Sequence, residues 1–106
     1  MIVVTSETIA NKRIVKTLGL VRGNTIRARH IGKDIMAALR NIVGGEVHEY
    51  AKLIAESREQ CLDRMTREAQ SLGANAVIAT RVTTSVMMGG AAELLAIGTA
   101  VVVEDE

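Results

Sequence analysis

The fold turns on the stretch GGEVHEYAKLIAESREQCLDRMTREAQSLG, residues Gly44 to Gly73. From Glu46 onward, apolar residues recur every three or four positions: Val47, Ala51, Ile54, Cys61 or Leu62, Met65, Ala69 and Leu72. That is the spacing of one face of an α-helix. A helix from Glu46 to Leu72 would be roughly 40 Å long, far beyond the usual dozen or so residues. Gly73 stands where a left-handed residue commonly ends a helix. Gly44 and Gly45 precede the helix and read as a sharp corner between it and an earlier one, because glycine tolerates positive φ. One residue interrupts the stripe. Arg58 falls between Ile54 and Cys61/Leu62. Either it is paired with a partner on another helix or subunit, since an unpaired buried charge is costly, or its stem packs at the stripe's edge with its head in water.

On the N-terminal side, IGKDIMAALRNIV places Ile31, Ile35, Leu39 and Ile42 at helical spacing. Before it, MIVVTS reads as a short strand, and RIVKTLGLVRGNTIRAR alternates as a long strand or two short ones. Gly19 and Gly23 within that strand predict a bulge or a close approach of backbone. On the C-terminal side, NAVIATRVTTSVM and AELLAIGTAVVVE flank MGGAA and predict a hairpin. The order is strand, strand, helix, helix, strand, strand. This is an α+β pattern of two layers, with an antiparallel or mixed sheet, in a single domain spanning 1–106. The last strand is apolar on both faces: Leu94, Ala96, Ala100 and Val102 on one, Leu95, Ile97, Val101 and Val103 on the other. Helices cover only one face of a two-layer sheet, so a neighbouring subunit is expected on the second.

Composition points the same way. Hydrophobic residues make up 48% of the chain, yet Tyr50 is the only aromatic and there is no proline. The core must be filled with aliphatic residues, and the apolar surplus calls for burial against copies of the chain. The net charge is +1 with no run of like charge, so a nucleic-acid partner is not expected; Arg27, Arg29 and His30 read as a solvated rim or an intersubunit pair. No apolar run reaches the ~20 residues that span a bilayer, and the N-terminus has no signal-peptide pattern. A single cysteine forms no intrachain disulfide. A cytoplasmic protein without membrane association is the expectation.

Motifs for chemistry are sparse. There is no phosphate-binding glycine loop of the Walker type, no dinucleotide fingerprint, no Cys-x-x-Cys and no His-Glu-x-x-His. No catalytic motif emerges, so the chain is not expected to be an enzyme. Glu46 and Glu49 have helical metal-ligand spacing, but His48 does not join them on one face. Cys61, beside the apolar stripe, reads as a buried structural thiol rather than a nucleophile. Met87 and Met88 with a thiol could favour a soft ion, or pack at an interface. His30, His48 and Cys61 are therefore the weak metal candidates, and no cofactor is named by the sequence.

The segments DIMAALRNIVGG, Tyr50, ESRE, LGANAVIATRV and GTAVVV together resemble the YbjQ family of small bacterial and archaeal proteins, described as uncharacterised or heavy-metal-binding. The likeness runs from IVVTS to GTAVVV. Matching positions include Gly23, Asp34, Arg40, Gly44, Gly45, Tyr50, Arg58, Gly73, Asn75, Gly98 and Thr99. The resemblance implies a β-α-β-β subunit with one long helix, similar to the dodecin subunit, that assembles as a homo-oligomeric ring, typically a pentamer, with no established activity. It marks Gly44, Gly45, Gly73 and Gly98 as structural glycines. This chain departs from the pattern at His30, Asn41, Glu46 and Ala51, and carries Cys61 where relatives commonly have Ala. Asp34, Arg40, Tyr50 and Arg58 form the polar set that either binds a ligand at a subunit interface or fixes the helix corner by hydrogen bonds.

Overall fold

A computed structural model describes residues 1–27, 46–86 and 92–106, with side chains for 1–25, 54–85 and 93–106. Strands β1 (Ile2–Val3), β2 (Lys12–Arg27), β3 (Ala76–Val86) and β4 (Ala92–Asp105) form one sheet in the order β1-β3-β4-β2. Helix α1 (Glu46–Ser71) lies on one face. β1 runs parallel to β3, while β4 is antiparallel to both β3 and β2, so the sheet is mixed. The α+β, two-layer expectation holds, and the long helix and the final pair of strands fall where the sequence pattern puts them. The expected earlier helix, the corner at Gly44 and Gly45, and the segment joining β3 to β4 lie outside the described residues.

The α1–sheet layer is built from small and aliphatic side chains. Val21, Cys61, Met65, Ala69, Val77, Leu94, Ala96 and Ala100 form the central cluster, with Leu18, Leu62 and Ala74 packed against it. The buried positions of α1 are Ser57, Cys61, Met65 and Ala69, a strict four-residue step. Arg58 is exposed. From Ile54 a step of three reaches Ser57 and a step of four reaches Arg58, and both fit helical periodicity. The helix lies so close to the sheet that the small residue takes the inner position and the charge stays in water. Leu72, expected at the end of the stripe, is 47% exposed because α1 stops at Ser71.

The stop is a Schellman motif. The amide of Ala74 donates to Ala69 O at 3.1 Å and that of Gly73 to Gln70 O at 3.0 Å. Gly73 has φ +88°, as this motif requires. Gly19 sits at an irregularity in β2, where the register shifts between Thr17 and Gly19. Gly23 serves the other role expected of it. A Cβ there would overlap the carbonyl oxygen of Cys61 and the amide nitrogen of Met65, and would lie 2.8 Å from Arg64 Cβ. At Gly98 a Cβ would come within 2.5 Å of Val77 Cγ1.

The second face of β4 is closed differently from the expectation of a neighbouring subunit alone. Towards the chain's C-terminus, Val101 and Val103 join Ala76 and Ile78 in a second cluster covered by Val4 and Ile9 of the chain's own N-terminal segment. The segment is pinned by backbone bonds: Val4 N to Val77 O at 3.0 Å, Ala79 N to Ser6 O at 2.8 Å and Thr80 N to Val4 O at 3.0 Å. A register shift between Ile78 and Arg81, with Ala79 at φ +53°, turns these groups towards it. Arg81 adds a bond from Nη1 to Thr5 O at 2.8 Å. Asn75 completes the arrangement: its side-chain amide donates to Val103 O at 2.9 Å and accepts from Val103 N at 2.8 Å, imitating a strand neighbour.

Edge strand β2 is partly shielded. Glu68 accepts a bond from the Arg22 amide at 3.4 Å, and Arg64 Nη1 donates to Asn24 O at 2.5 Å. Two backbone groups that could template another strand are thereby occupied by α1 side chains.

Candidate functional site: the uncovered sheet face

Side chains alternate across a strand. Val21, Gly23 and Thr25 of β2 face α1 and are buried, so Leu20, Arg22 and Asn24 face away. On β4, Leu94 and Ala96 face α1, so Glu93, Leu95 and Ile97 face away. These six residues line an open cleft of about 370 Å³. The ladder sets Arg22 opposite Ile97 and Asn24 opposite Leu95. The N-terminal segment that closes the other half of this face does not extend here. Leu20 is 66% exposed, and Leu95 and Ile97 are only half-buried. The cleft thus has an apolar floor with a guanidinium towards one end and a carboxylate towards the other. Nothing in the sequence singled out Arg22 or Glu93. The signal available was the two-faced apolar pattern of β4.

Of the polar set Asp34, Arg40, Tyr50 and Arg58, only the side chain of Arg58 is described, and it projects into solvent on α1. Asp34, Arg40 and His30, and the side chains of Tyr50 and His48, lie outside the described residues, as do Met87 and Met88.

Cys61 is where a structural thiol should be. It is fully buried, donates from Sγ to Leu94 O at 3.1 Å and lies 3.5 Å from Thr25 Oγ1. Thr25, two strand positions beyond Gly23, gives the thiol a polar neighbour that sequence spacing could not reveal. The native thiol is therefore expected to resist a water-soluble disulfide reagent and to react fully once the chain is unfolded. Rapid stoichiometric labelling of the native protein would show that it is accessible.

Three ion pairs lie at the surface among the described residues. Arg13 meets Glu104 at 3.2 Å, and Arg67 meets Asp63 at 3.5 Å one helical turn away. Lys12 bonds Asp105, and that hydrogen bond and charge hold the Asp105 carboxyl below the ordinary carboxylate range. The Lys12–Asp105 and Arg13–Glu104 pairs tie one end of the β2–β4 ladder, and none of the three lines the cleft.

A family model described as "Putative heavy-metal-binding", that of YbjQ, matches residues 1–104. The chain belongs to the YbjQ family. A UPF0145 protein of Methanosarcina acetivorans is 55% identical over 101 residues, covering 95% of each chain. Another from Clostridioides difficile is 53% identical over 106 residues, covering all of this chain and 95% of the relative. A crystal structure of a protein of unknown function from Pediococcus pentosaceus, assigned to the DUF74 family, superposes with a TM-score of 0.65 at 13% identity. It covers 98% of both chains, and its similarity is one of fold. No activity is established for the YbjQ family.

The donors that the fold provides bear on the heavy-metal description. Among the described residues, no three His, Cys, Asp or Glu side chains come together. The one described thiol is buried and spends its proton on a backbone carbonyl. A soft ion needs accessible thiolate, thioether or imidazole donors. The described part of this YbjQ chain does not fit such a centre. Also among the described residues, no helix is long and apolar enough to cross a membrane.

Proposed function

We propose that this YbjQ chain is a non-catalytic subunit of a cytoplasmic homo-oligomer, in which another copy closes the uncovered half of the sheet. The observation that carries this reading is the exposure of Leu20 beside Leu95 and Ile97 on a sheet face that neither α1 nor the N-terminal segment covers. The shape of the chain supports it. The Cα radius of gyration is 16.8 Å, against about 13 Å for a compact chain of this size. A subunit this extended leaves apolar surface that self-association can bury. The lone cysteine kept as a thiol is in keeping with a reducing compartment. A ring of five copies is the form implied by the family resemblance.

Light scattering coupled to size-exclusion chromatography tests the assembly. A homo-oligomer is expected at micromolar concentration, and a monomer there would refute the reading. Leu20→Glu is expected to shift the population to monomer, because it would bury an unpaired carboxylate in the contact. Native mass spectrometry of the same sample counts subunits and reports any retained metal. Stoichiometric Zn²⁺ or Cu⁺ carried through purification would favour the family's heavy-metal description over a purely structural role.

A further inference from the structure

Arg22 and Glu93 are the two charges of the cleft, and the strand register keeps them apart. Arg22 pairs across the ladder with Ile97, whereas Glu93 pairs with Ile26. Four residues of strand separate the two levels, roughly 13 Å, too far for an ion pair within one chain. No ion pair involves either side chain among the described residues. Arg81 shares this face, opposite Ile97, but its guanidinium is held by Thr5 O and Thr80 O at 2.8 Å each. The other acids of the strands, Glu104 and Asp105, are paired at the far end of β4. Among the described residues, the uncovered apolar floor therefore carries one unpaired cation and one unpaired anion, four residues of strand apart.

We infer that the uncovered sheet face docks on a second copy of this chain, with Arg22 of one copy paired to Glu93 of the next. This deepens the proposed assembly and rests on it. Covering Leu20, Leu95 and Ile97 with another protein surface desolvates both charges. An isolated charge in such a contact is costly, whereas a hydrogen-bonded opposite charge offsets the cost. A guanidinium fork suits a carboxylate in particular. A second copy brings both charges in equal number, so every new contact can be satisfied without a third component. The same pair then selects the register of the contact, because sliding by two residues would part the opposite charges.

The test is a charge swap, read by light scattering and native mass spectrometry at fixed protein concentration. Arg22→Glu and Glu93→Arg, each alone, place like charges together and are expected to raise the dissociation constant of the assembly at least about tenfold. The double variant R22E/E93R restores opposite charges and is expected to assemble like the wild type. That recovery also shows that the single variants did not fail through misfolding. Single variants that assemble as tightly as the wild type overturn the inference while leaving the oligomer intact. A double variant no better than the singles overturns it too. A small molecule that co-purifies with the wild type and is lost in Arg22→Glu at unchanged subunit number would instead assign the cleft to a ligand. A monomeric wild type would refute the proposed assembly itself, a different failure from any of these.

Discussion

Gly23→Ala is expected to destabilise the protein by about 3 kcal/mol, the upper part of the usual range for overpacking a core. The cause is the absence of room above β2. The added methyl would meet the Cys61 carbonyl and the Met65 amide, both backbone atoms of α1, and then Arg64 Cβ at 2.8 Å. A flexible side chain could swing aside; a helix backbone must move as a body. Lifting α1 would loosen the contacts of Met65 and Cys61 with the sheet along the same seam. It would also lengthen the bond from Cys61 Sγ to Leu94 O, now 3.1 Å. Two measurements check this. Urea unfolding at constant protein concentration should show the loss with little change in slope. Thiol labelling of the folded variant should be faster than in the wild type. A loss below about 1 kcal/mol with an unreactive thiol would mean that α1 is not seated as tightly as described.

Met65→Ala should cost about 4 kcal/mol, towards the top of the range for deleting a large buried side chain. Among the described residues Met65 is the largest fully buried side chain, at 0% exposure. Its surroundings cannot close the gap. Ala69, Ala96, Ala100 and Cys61 are small and fixed to regular backbone, and the approach at Gly23 already brings helix and strand into contact. Among the described residues of that cluster there is no aromatic ring to swing into the void. Met65→Leu keeps the volume and should cost less than about 1.5 kcal/mol. Denaturant unfolding of the two variants side by side gives the comparison. Near-equal stability would place the centre of the core elsewhere.

Much of the architecture was written in local patterns. The three-to-four spacing after Glu46 announced α1, and Gly73 marked its end because a Schellman motif needs a left-handed residue there. Gly19 and Gly23 announced a bulge and a close approach, and each took one of those roles. Alternation in the last two segments announced the hairpin. The seam of α1 was less legible. Ser57 and Arg58 both satisfy helical spacing, and only the tight seating of the helix on β2 put serine inside and arginine in water. The candidate site was less legible still. Arg22 and Glu93 lie 71 positions apart, and neither belongs to a motif. Thr25 and Cys61 likewise meet only through the fold.

The sequence by itself determined the long helix, the strands, their order along the described chain and the existence of a second apolar face on the last strand, because these follow from periodicity and backbone preference one segment at a time. What covers that second face was decided by tertiary structure. The N-terminal segment closes the half around Val101 and Val103, held by bonds to the irregularity at Ala79, and reaches no further. The remaining half becomes a site because long-range register aligns Leu20, Leu95 and Ile97 and keeps Arg22 from Glu93. Strand pairing joins residues by geometry rather than by nearness in the chain, and no local pattern encodes that register.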